Sequence, residues 1–147
     1  NSLSCAVDFE KLSKKINFKV ITPFDAYKVI GNNYDFLFLM AANSISTKNI
    51  EEFIKSRNPK AKFLSLGFLT LVNKIETCAS KNEITEQAAL KELFAFFEKV
   101  EPEIDNKAVI LSCTHFPYIK DEIVSMTNLA VVDPAEEMIK FLFTSFR

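Results

Sequence analysis

Five short apolar runs constrain this chain more than any other feature. They fall near residues 18–21, 36–41, 62–66, 108–112 and 129–132, and each is apolar on both faces or nearly so. A strand with one wet face alternates apolar and polar residues. A run without alternation is covered on both sides, as in a parallel sheet. Between the runs, apolar residues recur at steps of three and four. Cys5, Phe9, Leu12 and Ile16 form one such stripe, and Leu90, Leu93, Phe97 and Val100 form another in the long segment from Ile84. Thr22-Pro23 predicts a capped helix start and Gly31 its end. Asn58-Pro59 predicts the stop of the helix carrying Ile50, Phe53 and Ile54. Asp133-Pro134-Ala135-Glu136 reads as a capping box opening a last helix, with Met138, Phe141 and Leu142 as its stripe. Alternating strand and helix give the α/β class: a mostly parallel sheet of four to five strands with helices on both faces. Such sheets bind ligands beyond the carboxyl ends of their strands. The residues to watch are therefore Thr22, Asn43 to Ser46, Phe68 to Thr70, Cys113 to His115 and Asp133.

Composition closes off several functions. At 147 residues, one domain is the expectation and two small ones the limit. The 18 basic and 19 acidic residues are interspersed, which leaves no footprint for nucleic acid or an anionic membrane surface. No apolar run approaches the ~18 residues of a membrane span, and no cleavable leader is legible at the N-terminus. The two glycines, Gly31 and Gly67, cannot build a Gly-rich phosphate loop. Three scattered cysteines (Cys5, Cys78, Cys113) argue for a reducing, cytoplasmic setting rather than a disulfide framework. With one histidine and no Cys-x-x-Cys pair, no metal site is expected. Cys78 reads as a packing residue. Phe94, Phe96 and Phe97 read as core, or as a partner surface where they point outward. Lys74, Lys81 and Lys14-Lys15 read as solubilising charges.

One strand end stands apart. The run Ala108-Val109-Ile110-Leu111-Ser112 leads directly into Cys113-Thr114-His115-Phe116-Pro117. A buried strand would deliver a thiol, a hydroxyl and the chain's only imidazole to one point, with a helix opening at Pro117. A thiol beside a histidine and a helix N-terminus has the ingredients of a reactive thiolate, able to act as a nucleophile or a proton-abstracting base. The competing reading is a buried cysteine that packs as a small apolar group.

The segment Ile110 to Pro117 resembles the second catalytic motif of bacterial glutamate racemases, Leu-Gly-Cys-Thr-His-(Tyr/Phe)-Pro. Other segments follow in the family's order. Asn1-Ser2-Leu3-Ser4 is similar to the end of its first motif, Cys-Asn-Thr-x-Ser. Leu71-Val72-Asn73-Lys74-Ile75-Glu76 is similar to Leu-Val-x-x-(Val/Ile)-Glu, and Val131 to Ala135 to a late Ile-Asp-Ser/Pro-Ala segment. The resemblance runs from Asn1 to about Leu142. It implies a cofactor-independent amino-acid racemase in which two thiols, one on each face of the α-carbon, remove and return a proton. Cys113 would be one thiol base, assisted by His115, with Glu76 as the nearby carboxylate. Asn1, Ser2, Asn43, Ser46 and Thr114 would bind the substrate, glutamate or aspartate. The implied role is cytoplasmic supply of cell-wall peptidoglycan, with a homodimer as an expected assembly.

The departures matter equally. The family's first cysteine precedes the residue matched by Asn1 and has no counterpart here; Ser112 replaces a glycine; Ala42-Asn43-Ser44-Ile45-Ser46 stands where the family has Ala-Thr-x-x-Thr. Cys5 lies more than a turn along the first helix and cannot substitute. The resemblance thus implies that residues 1–22 are a remnant of a first racemase domain. Residues 23–147 would be the second α/β domain and its following helix, and this chain alone is expected to be inactive. The alternatives are an aspartate racemase or other small-carboxylate enzyme, and a degenerate, non-catalytic binding domain.

Overall fold

The computed structural model describes residues 7–87 and 89–145. In chain order the elements are α1 (Phe9–Ile16), α2 (Pro23–Asn33), β1 (Phe36–Ala41), α3 (Ser44–Lys55), β2 (Lys62–Gly67), α4 (Leu69–Glu76), α5 (Lys81–Gln87), α6 (Leu90–Lys99) and β3 (Lys107–Leu111). A 3-10 turn (Phe116–Ile119), α7 (Lys120–Met126), β4 (Ala130–Val132) and α8 (Pro134–Ser145) complete them. The four strands are parallel in the order β2-β1-β3-β4. Every residue of β1 and β3 is buried, whereas the edge strands β2 and β4 are partly exposed. This is what unbroken apolar runs at the centre of a sheet require.

Side chains alternate between two cores. Phe36, Phe38, Met40, Val109 and Leu111 face Leu71, Val72, Ile84, Leu90, Phe94, Phe97 and Ile123, from α4 to α7. Leu37, Leu39, Ala108 and Ile110 face Ala26, Tyr27, Ile30, Ile50 and Ile54, from α2 and α3. Helices therefore cover both faces, and the α/β class read from the sequence holds. Phe94 and Phe97 are core, while Phe96 turns outward. Lys107, buried, donates to the carbonyls of Glu98 (2.9 Å) and Val100 (2.5 Å), closing the C-terminus of α6. Lys74 and Lys81, read as solubilising charges, are ion-paired with Glu83 (3.6 Å) and Glu122 (3.1 Å).

Several local expectations are corrected. Residues 18–21 form no strand, and Phe18 is 74% exposed. A strand needs a neighbour's ladder to satisfy its backbone, and among the described residues this segment pairs with neither sheet edge. Gly31 does not end α2; it sits buried inside the helix, where a Cβ would meet Ile54 Cγ2 at 2.5 Å. It is a packing glycine at the α2–α3 crossing. The segment from Ile84 is two helices, because Ala89 adopts left-handed backbone (φ 47°), through which a right-handed helix cannot run. Asp133 caps α8 through Ala135 N–H (2.9 Å), but Glu136 pairs with Lys120 instead of completing the box. Cys78 does not pack; it is exposed, with φ 58°, just past the end of α4. The α1 stripe is partial: Phe9 and Leu12 are half-buried, Ile16 is exposed, and Cys5 lies outside the described residues. Among the described residues, no helix is long and apolar enough to cross a membrane.

Candidate active site

The strand order fixes where a site can form. From β1 the chain crosses through α3 to β2 on one side, then returns over the opposite face to β3 on the other side. The crevice at the carboxyl ends of β1 and β3 is the point where the winding reverses, the position ligands occupy in open α/β sheets. Leu111 pairs with Met40, and Ser112 N–H donates to Met40 O (2.8 Å), so the two ends lie side by side. Asn43 follows β1, Cys113 to His115 follow β3, and Asp133 follows β4.

Three side chains converge there. Cys113 Sγ lies 3.4 Å from His115 Nδ1, and His115 Nε2 lies 2.9 Å from Glu76 Oε1. Glu76 is the last residue of α4, 39 positions before the histidine. Ionised glutamate can only accept a hydrogen bond. Nε2 is therefore the donor to Glu76, and in the neutral ring Nδ1 is left to accept the thiol proton. Once that proton moves, the imidazolium donates from both nitrogens, to the thiolate and to the carboxylate. The array can thus shuttle one proton between sulfur and nitrogen without moving a heavy atom.

Local backbone explains the alignment. Phe116 N–H donates to Cys113 O and Tyr118 N–H to His115 O, both at 3.1 Å. The 3-10 turn at Phe116–Ile119 thus stands where the sequence predicts a helix starting at Pro117, and its first amide is engaged by Cys113's own carbonyl. Cys113 is 8% exposed and forms part of the core beneath, together with Phe116. The cysteine packs as a small apolar group while its sulfur faces the His115 ring. Thr114 is exposed beside it.

Asn43 caps α3 by accepting from Ser46 N–H (2.9 Å), and Ser46 is buried. Asn1 and Ser2 lie outside the described residues. Gly67 ends β2. Its absent Cβ would come 3.0 Å from Asn43 Cα, tighter than an ordinary contact, so glycine eases the close approach of β2 to the Asn43 turn. Its signal was legible as one of only two glycines, placed at a strand end. Among the described residues, no group of three or more His, Cys, Asp or Glu could hold a metal ion. A cavity of about 760 Å³ beside α1, α2 and α3 includes none of the triad.

The class these features define is a doubly wound α/β domain with a cysteine–histidine–carboxylate site at its switch point. Sequence and fold both align the chain with glutamate racemases. It is 28% identical over 106 residues to the glutamate racemase of Lactobacillus helveticus and 26% identical over 107 residues to that of Lactobacillus acidophilus. Each match covers 71% of this chain and 38% of the relative, so the chain spans about two-fifths of the curated relatives' length. Among solved structures, Francisella tularensis glutamate racemase in complex with D-glutamate has a TM-score of 0.61 at 22% identity. That match covers 85% of this chain and 46% of the other. A Bacillus anthracis glutamate racemase isoform has a TM-score of 0.62 at 20% identity, over 95% and 53% of the two chains. No family model matches the chain.

Proposed function

We propose that this chain supplies the second-thiol half of an amino-acid racemase acting on glutamate, with Cys113 as one of its two proton-transferring thiols. The observation that carries the reading is the Cys113–His115–Glu76 array at the switch point, within a motif and a fold that align with glutamate racemases. One of those racemases holds D-glutamate. The Cys113 thiolate takes the α-proton from one face of the substrate. His115 holds the proton that Cys113 gave up, and Glu76 fixes the ring and balances the imidazolium charge. Thr114, Asn43 and Ser46, with Asn1 and Ser2, serve as substrate contacts.

In this reading residues 1–22 belong with a first domain that carries the opposing thiol, and residues 23–147 form the second. The exposure of Ile16 and Phe18 supports a covering partner for that segment. Each such side chain left in water forgoes ~1.5–3 kcal/mol of burial. Racemisation needs one acceptor on each face of the α-carbon, so the 147-residue chain alone should not racemise glutamate.

The test is α-proton exchange in deuterated water together with circular dichroism of D- and L-glutamate. The chain by itself should show neither at an appreciable rate. A polypeptide joining it to a racemase first domain with its cysteine should show both, and Cys113→Ala should lower both by about 10²-fold or more. Racemisation that survives Cys113→Ala would sink the reading.

A further inference from the structure

We propose that the Cys113–His115–Glu76 array is also a nucleophilic acyl-transfer site, taking small activated esters and thioesters. This goes beyond the racemase reading, because it needs one thiol and one side of the crevice rather than two opposed bases. The geometry is that of a thiol hydrolase: sulfur to Nδ1 (3.4 Å), then Nε2 to a side-chain oxygen acceptor (2.9 Å), with the base oriented by a third group. The end of β3 and the 3-10 turn after it hold the thiol and the imidazole, and the end of α4 holds the carboxylate. The amides of Phe116 and Tyr118 are engaged by Cys113 and His115 carbonyls. Those of Thr114 and His115 meet no acceptor among the described residues, and free backbone N–H groups are the kind of donor that stabilises a developing oxyanion.

The reaction balances without any group beyond water. The Cys113 proton passes to His115 Nδ1 as sulfur attacks the carbonyl carbon. The S–C bond forms, the bond to the leaving oxygen or sulfur breaks, and the imidazolium returns its proton to the leaving group. Water, deprotonated by the same imidazole, then attacks the thioester. The C–O bond forms, the C–S bond breaks, and Cys113 regains its proton while the acid departs. With Cys113 only 8% exposed, short acyl groups such as acetyl are the class that fits.

The probe is p-nitrophenyl acetate, used with the 147-residue chain carrying Cys5→Ser and Cys78→Ser so that Cys113 is its only thiol. Release of p-nitrophenolate is followed alongside intact-mass and peptide mapping. The expected result is one acetyl group on the Cys113 peptide and turnover above the buffer rate. Cys113→Ser should lower that rate by about 10²-fold, and His115→Gln by about 10- to 10²-fold. Glu76 is a positioning residue. Glu76→Leu should lower kcat about tenfold with KM unchanged, and Glu76→Gln, which keeps an oxygen acceptor, should recover most of the loss. Acetylation elsewhere in the chain, or an unchanged rate in Cys113→Ser with the fold intact by circular dichroism, overturns the proposal. Glutamate is absent from this assay, so failure here leaves the racemase reading standing, and loss of racemisation alone leaves this one standing.

Discussion

Replacing Gly31 by alanine should destabilise the protein, although glycine inside a helix is ordinarily a weakness. In an exposed helix the exchange stabilises by about 1 kcal/mol, because alanine has the higher helix propensity. Here the new methyl would lie 2.5 Å from Ile54 Cγ2 and 3.4 Å from Ile54 Cβ and Cγ1. Carbon atoms in contact prefer ~3.5–4.0 Å, so α2 and α3 must part by roughly 1 Å or Ile54 must leave its rotamer. Ile54 is 1% exposed, so it cannot swing out into water to accept the displacement. Overpacking of this kind costs about 1–3 kcal/mol. Parting the helices also stretches the bond from Asn58 Nδ2 to Gly31 O, now 2.9 Å, at a cost of about 1 kcal/mol. The propensity gain offsets that last term, which leaves a net loss of about 1–3 kcal/mol. Urea unfolding followed by far-ultraviolet circular dichroism measures it, with the slope against urea expected to stay constant. Ile54→Leu removes the clashing Cγ2 branch, so the double variant Gly31→Ala/Ile54→Leu should recover at least ~1 kcal/mol of the loss. If Gly31→Ala raises stability as it would on an exposed helix, the α2–α3 crossing is not as close as described.

Further expectations follow from the same contacts. Lys107→Met keeps the side chain's volume but strips the donors from the last carbonyls of α6, and thermal unfolding should reveal a loss of about 2–4 kcal/mol. Gly67→Ala drives a methyl against the Asn43 backbone, which cannot move cheaply. Urea unfolding should show a loss of about 1–3 kcal/mol, and alkylation of Cys113 next to that turn should change rate. The Thr127 hydroxyl and the Asn128 amide hold the Glu98 carboxyl below its ordinary range. A depressed native value stabilises the fold above the unfolded carboxylate range, and that contribution disappears as pH falls through the native value. Wild type should therefore lose more stability than Glu98→Gln when unfolding is compared at about pH 6 and about pH 3; equal losses would contradict the assignment.

The sequence by itself determined the fold class and most of the element pattern. Runs such as Phe36–Ala41 and Ala108–Leu111 carry no polar alternation, and only a sheet covered on both faces buries them. Local chemistry is equally legible where it is self-contained. Thr22 N–H donates to Asp25 Oδ2 (2.8 Å) three residues on, and Asn43 takes Ser46 N–H, so both helix starts are written in adjacent residues. The Cys113-Thr114-His115 cluster was visible because all its members follow one strand. What tertiary structure alone decided involves partners far apart in the chain. Phe18–Ile21 has the composition of a strand but, among the described residues, pairs with no strand; composition carries no information about adjacency. Gly31 reads as a helix end in isolation and becomes a packing residue only when Ile54 lies against it. The long helical pattern breaks at Ala89 through a backbone conformation that side-chain periodicity does not encode. Glu76 is legible in the sequence only through the family resemblance, and its hydrogen bond to His115 arises because the return from β2 to β3 brings the end of α4 to the switch point. A spacing of 39 residues holds no local signal. Strand order, set by how the two cores close over the sheet, turns that spacing into 2.9 Å.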